Sequence, residues 1–195
     1  MKKLFALMLA ALAVFPLCAK DEDDVKAVLS QVNRLACELK LSETLPYYAP
    51  EYVGVSARGK KVTYDDAVRI SKAIDVMFDE KSPILDIYRA LMEMQGKTLD
   101  ADMAVKVQEL EQNEEFKQMF RNQMRAAKTM MQVKLRQQVD SFKILDLKVS
   151  GDKATVTCRE NEADTGKMTE RECKLVKTNG KWRIVSDTSK YFVQK

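Results

Sequence analysis

The side chains able to do chemistry are few, and what is missing narrows the field first. The 195-residue chain has no histidine. That removes the commonest general base, the Ser–His and Cys–His nucleophile pairs, and imidazole ligands for a metal. There is no glycine-rich phosphate loop and no Cys-x-x-Cys, so neither a cofactor nor a metal is expected. What remains is a run of tyrosines, Tyr47, Tyr48, Tyr52 and Tyr64, with Asp65 and Asp66 beside the last. A carboxylate and a phenol can move protons without imidazole. The plainer reading is that Asp66 caps a helix and the tyrosines bridge core and surface. Glu109, Glu111, Glu114 and Glu115 fall on polar helix faces and read as solvated surface rather than a metal site. The methionines at 119, 124, 130 and 131 could suggest copper or an adaptable groove. Interleaved at helical spacing with Phe116 and Phe120, they read as core. Lys117, Arg121, Arg125 and Lys128 form a basic stripe on the opposite side, expected to be solvated.

Cysteine use points to a cross-link. Cys158 and Cys173 lie in two successive strand-like stretches, and placing them opposite each other sets a register. Arg159 then faces Glu172, Glu160 faces Arg171, and Val156 faces Leu175, which gives two opposite-charge pairs and one apolar pair. Oxidising conditions would permit a Cys158–Cys173 disulfide closing a loop of about 15 residues, worth roughly 3 kcal/mol. Otherwise both are buried thiols. Cys37 is left over, either free or linking two molecules.

The elements that must position these groups follow from periodicity. From Phe142 to Asp187 the chain alternates at period 2, with turns at Ser150-Gly151-Asp152, Asp164-Thr165-Gly166 and Thr178-Asn179-Gly180. Leu145, Leu147 and Val149, then Ala154, Val156 and Cys158, then Cys173 and Leu175, then Trp182 and Ile184 share one apolar face. Trp182 is a core residue of that face that could also line a pocket. An antiparallel sheet with one wet face needs a cover. The helical first two-thirds supplies it: an amphipathic helix over 23–39, a short strand over 51–56, a helix from Tyr64 to Phe78 behind a Thr63/Asp66 capping box, and a helix starting at Ser82-Pro83. A shorter helix spans 101–110, and a long one runs from Asn113 past Met131.

At the N-terminus, Met1-Lys2-Lys3 is followed by an apolar run from Leu4 to Leu17, a small residue at Ala19 and the charges of 20–24. This is the pattern of a cleaved signal peptide over residues 1–19, too short for a membrane span. Acylation of Cys18 is disfavoured by the bulky Leu17. The expected location is periplasmic or secreted. Removing Lys2 and Lys3 lowers the formal charge of +4 by two, so nothing asks for nucleic acid.

The segment PYYAPEYVGVSARGKKVTYDDA, with KILDLKVSGDKATVTC and KTNGKWRIVSD, resembles NTF2-like domains of the SnoaL and steroid-isomerase kind, with their cystatin-like cone. The resemblance covers about residues 22–68 and 140–188. It implies an α+β fold over residues 20–195: N-terminal helices, and a helical insertion at about 70–140, packed on a curved C-terminal antiparallel sheet with a cavity at one end. Tyr48, Tyr52, Tyr64 and Trp182 would lie at the cavity mouth. Members of this superfamily serve as enzymes, ligand binders or association domains, and fold alone does not choose. With no motif matched, a non-catalytic binding or interaction module is the expected function, its partners a small hydrophobic ligand or a second copy of the chain. The alternative is a cofactor-free isomerase or hydrolase acting on a small hydrophobic molecule.

Two measurements check the expected export. Intact mass of the exported protein should place the mature N-terminus at Lys20; a lipid-modified Cys18 would overturn this. Thiol counting on the unfolded, non-reduced protein should return a single free thiol, and finding all three would exclude the bridge.

Overall fold

The computed structural model describes residues 2–192, with side chains from Lys20 onward, so the expected leader's side chains, Cys18 included, lie outside it. Helix α1 (Lys2–Cys37) leads through a 3-10 helix (Leu41–Tyr47) into β1 (Tyr48–Val55) and β2 (Lys61–Thr63). Helices α2 (Tyr64–Phe78), α3 (Ile84–Met94), α4 (Ala101–Glu111) and α5 (Glu114–Ser141) follow. The chain ends in β3 (Lys143–Ser150), β4 (Lys153–Asn161), β5 (Met168–Thr178) and β6 (Lys181–Tyr191). The strands form one sheet in the order β2-β1-β6-β5-β4-β3. Its C-terminal four make an antiparallel meander. Strand β1 joins β6 in parallel, so the sheet is mixed rather than wholly antiparallel.

Local chemistry accounts for most boundaries. Thr63 and Asp66 form the expected reciprocal capping box at the start of α2. Asn179 and Gly180, at φ 52° and 73°, supply the left-handed pair that a tight β5–β6 hairpin demands. The start of α3 differs from expectation. Pro83 takes the N-cap position, while Ser82 gives its hydroxyl to Asp79 at 3.2 Å. The freed N–H of Ile84 donates instead to Glu111 Oε1 of α4 at 2.8 Å.

Two apolar clusters hold the molecule. In the first, Val25, Leu29 and Val32 of α1 lie on Val156, Leu175, Trp182 and Ile184 of the sheet, which curls around the helix without closing. In the second, α2 to α5 pack around Ile74, Ile84, Ile87 and Phe120. The basic stripe of α5 is not simply solvated. Arg121 donates to the Ser82 carbonyl, Arg125 holds Glu80 through two nitrogens at 3.1 Å, and Lys128 reaches the Phe78 carbonyl at 3.4 Å. These cations gather at the C-terminal end of α2, where free carbonyls favour positive charge. Met119 and Met130 depart from the expected core stripe and are 50% and 59% exposed.

The sheet departs from expectation in two further places. A bulge between Ile144 and Asp146 turns Leu145 outward, leaving Leu147 and Val149 on the core. The β4–β5 register is displaced by two residues: Cys158 faces Arg171, Val156 faces Cys173, and Arg159 faces Glu170. A two-residue shift keeps every side chain on its face, so the apolar pattern cannot detect it. The charge pattern cannot either, because Glu170 and Glu172 stand two apart and Arg159 meets a carboxylate in both registers. Cys158 and Cys173 are therefore diagonal neighbours, and both are free thiols.

Packing in the helical cluster is open to direct measurement. Ile87 is fully buried, so Ile87→Ala should cost about 2–5 kcal/mol, seen as a lower urea midpoint at unchanged slope. Met130→Ala should stay within about 0.5 kcal/mol.

Candidate functional site

Seen from inside, the curved sheet is a set of rows. Ala154, Leu175 and Ile184 form one row; Val156, Cys173, Asp187 and Gly54 the next; Cys158, Arg171 and Ser189 the third; Glu160, Thr169 and Tyr191 the last. Polarity rises from row to row. The first is apolar and sealed by α1, the middle two carry the thiols together with Asp187 and Arg171, and Glu160 stands in the last.

Arg171 is the centre of these charges. Its Nη2 donates to Asp187 Oδ2 at 3.0 Å, and its Nη1 lies 3.8 Å from Glu160 Oε1. The side chains of Arg171, Asp187 and Glu160 are only 16%, 14% and 7% exposed. Burial by itself would discharge the guanidinium, but Cys173, Asp187 and Glu160 around it outweigh that and hold it firmly charged. The Nε of Arg171 is buried without an acceptor. Tyr52 donates its hydroxyl to Asp187 Oδ2 at 2.8 Å, and Gln138 of α5 donates to Glu160 Oε1 at 3.0 Å. Gly54 makes the first of these contacts feasible. A Cβ there would collide with the Tyr52 hydroxyl and crowd Asp187 Oδ1 at 3.4 Å. Beneath Arg171, the Cys158 thiol donates to the Arg171 carbonyl at 3.5 Å, beside Cys173. Each thiol feels the other: Cys173 and burial push Cys158 up, while Cys158 and Arg171 pull Cys173 down.

These residues border a pocket of about 290 Å³, whose walls include Tyr52, Gly54, Gln138, Glu160, Arg171 and Asp187. Of the residues singled out from sequence, Tyr52 lines it. Tyr48 packs edge-on against Tyr52 at 4.7 Å, one layer further in. Tyr64 lies against the apolar core beneath. Trp182 is 4% exposed at the sealed end, with Lys177, itself held by Asp21 at 2.5 Å, 5.7 Å from its ring centre. The structure thus brings Tyr52 alone to the pocket, sets Tyr48 behind it, and leaves Tyr64 against the core and Trp182 within it. Sequence reasoning missed Asp187, Gln138 and Gly54, and placed Arg171 and Glu160 only as a strand pair. A signal existed for that pair: both occupy inward positions of the alternation, where a charge is out of place. Asp187 gave none. Ile184 and Asp187 both point inward at an odd spacing, because of a bulge near Leu175 in the β5–β6 ladder.

No family model matches the sequence, and no curated protein matches it. Solved structures do match. An NTF2-like protein with a cystatin-like fold from Novosphingobium aromaticivorans superposes with a TM-score of 0.50, covering 96% of this chain and 92% of its own at 11% identity. NTF2-like proteins of unknown function from Silicibacter pomeroyi (TM-score 0.46, 11% identity, 89% of this chain and 98% of that one) and Shewanella baltica (0.46, 13%, 90% and 97%) are also similar. The likeness is one of fold: the chain has the NTF2-like α+β architecture that the sequence resemblance implied. Among the described residues, no helix is long and apolar enough to cross a membrane.

The inner tyrosines give the site a spectroscopic signature. Burial pushes the Tyr48 hydroxyl up to about 12 from an ordinary 10.0. Burial raises Tyr52 as well, with Asp187 adding to it. Both groups are harder to ionise folded than unfolded. Their contribution to stability is therefore complete below about pH 10 and lost as pH rises towards 12. Absorbance at 295 nm should show a late step in phenol ionisation that shrinks in both Tyr48→Phe and Tyr52→Phe. An unchanged late step in either variant would contradict the packing.

Proposed function

We propose that the protein is an exported, non-catalytic binding module whose ligand occupies the pocket at the open end of the cone. The observation that carries this is Glu160. Its side chain is 7% exposed, its Oε1 is engaged by Gln138 and Arg171, and its Oε2 has no partner. A largely buried carboxylate that keeps one oxygen open to the pocket is placed to accept a hydrogen bond from a ligand. The unpartnered Nε of Arg171 in the same wall adds to the reading. The sealed end is filled by Val25, Leu29, Val32 and Trp182, which leaves the polar mouth as the place for a small ligand. Export rests on the leader-like N-terminus.

A second reading keeps the same pocket and makes it an active site for a cofactor-free isomerase or hydrolase. It is favoured by one contact, the Tyr52 hydroxyl on Asp187 Oδ2, which sets a phenol beside a carboxylate inside the cone. Asp187 Oδ1 has no protein partner and would face a substrate as the base, with Tyr52 as the donor. In the resting arrangement both Tyr52 and Arg171 are already spent on Oδ2, so such a substrate would have to displace one of them.

A fragment screen followed by amide chemical shifts separates these readings from no site at all. Ligands of the mouth should perturb residues 54–57, 169–171 and 187–189 together. Turnover of any such ligand that is lost in Asp187→Asn would favour the enzyme. A library that moves none of these amides would remove the mouth pocket as a binding site.

A further inference from the structure

The long helix α5 gives the mouth pocket a neighbour. On the far side of Gln138 lies a cleft of about 540 Å³ bounded by Ile70 and Ile74 of α2, Met94 of α3, and Met130, Met131 and Leu135 of α5. This volume is ordinary for a small-molecule site, about 300–1,000 Å³. The wall is almost wholly apolar, and three of its side chains are methionines, which adapt to irregular hydrocarbon. Met130 stands 59% exposed over the cleft instead of packing inward. The two spaces share walls: Gln138 and Glu162 line both. Gln138 is the partition, donating to Glu160 on one side and accepting from the Ala163 N–H at 3.3 Å on the other.

Charge decides which head group suits this pair of cavities. Glu162 is answered by Arg58 at 3.4 Å and by the hydroxyls of Thr165 and Tyr191. Lys134, on the rim of the cleft, has Asp164 at 4.0 Å. In the mouth, two carboxylates, Asp187 and Glu160, surround the single guanidinium of Arg171, and each carboxylate has an oxygen without a protein partner. The uncompensated charge is therefore negative, and it lies in the pocket that shares Gln138 and Glu162 with the apolar cleft.

We propose that the protein binds a cationic single-chain amphiphile, its hydrocarbon in the α2–α3–α5 cleft and its ammonium head at Glu160 and Asp187. This rests on the mouth pocket being a binding site and adds the class of ligand. The head donates N–H to the open carboxylate oxygens, while the chain displaces the Gln138 side chain from its two hydrogen bonds and covers Met130 and Met131. The excess carboxylate disfavours an anionic head, since Nη1 and Nη2 of Arg171 already face Glu160 and Asp187. The helices that lengthen this chain beyond the sheet and α1 thereby acquire a task, because α2, α3 and α5 build the cleft.

Calorimetry with decylamine, butylamine and decanoate, each below its aggregation limit, tests the assignment on the full-length protein. Decylamine should bind at least about tenfold more tightly than butylamine, from burial of the added methylenes. It should also exceed decanoate by about tenfold. Ala127→Trp, which fills the cleft, and Met130→Gln, at an exposed position the fold tolerates, should remove or reduce the chain-length advantage while leaving butylamine unchanged. Glu160→Gln should remove the preference for amine over carboxylate. Equal affinities for butylamine and decylamine would overturn the spanning mode and leave the mouth pocket intact. Equal binding of decylamine and decanoate, unaffected by Glu160→Gln, would overturn the head assignment. If none of the three binds, the amphiphile is excluded, and the mouth pocket is judged by the fragment screen alone.

Discussion

One buried guanidinium organises the open half of this molecule. Arg171 sits inside a sheet where its neighbours along the strand are Cys173 and Leu175, and a charge there must be matched by others nearby. Asp187 and Glu160 supply the match, and each is then held by a neutral donor from outside the central hairpin: Tyr52 of β1 and Gln138 of α5. Deleting one partner of such a cluster commonly costs about 3–5 kcal/mol, because the remaining charge is stranded. Replacing the whole cluster with apolar side chains need not destabilise the fold at all. The charges are thus poorly explained by stability, which is why the mouth rather than the core attracts a functional reading.

The two apolar clusters divide the labour. The first, α1 against the sheet, closes the narrow end and fixes the curvature on which the inward rows depend. The second, α2 to α5, is secured to the first through α5, whose Gln138 and Ser141 reach β4 and the loop after it. The same helix holds the C-terminal end of α2 through Arg121, Arg125 and Lys128. One element thereby carries a wall of the polar pocket, a wall of the apolar cleft and the clamp on α2.

Much of the architecture could be read from sequence, and the failures have identifiable causes. Period-2 alternation located the four meander strands, and Thr63 with Asp66 located the start of α2. Both are local signals: they depend on side chains a few residues apart. The register of β4 on β5 depends on partners across the sheet, and two equivalent placements of Arg159 against Glu170 or Glu172 left it undetermined. The pocket was harder still. Asp187 points inward only because a bulge resets the alternation after Ile184, and Gln138 enters from a helix that looked like covering. The tyrosines were visible because aromatic hydroxyls draw attention, yet only Tyr52 reaches the pocket. The parallel pairing of β1 with β6 had no sequence signature, since no turn joins the two strands.

That parallel pairing also bears on how the chain reaches its native state. Tyr52 and Asp187, which meet at the seam between β1 and β6, stand 135 positions apart. Contacts of such separation close late, because the entropy of bringing distant segments together is lost before the contact returns anything. The meander from β3 to β6 is local and can assemble on its own, whereas the β1–β2 hairpin, though made early in synthesis, has no partner until the final strand exists. During that interval the strand exposes an unpaired edge, the kind of surface on which chains associate with one another. A chain that emerges N-terminus first would meet the same delay, and shielding β1 through that interval would raise the yield of folded protein.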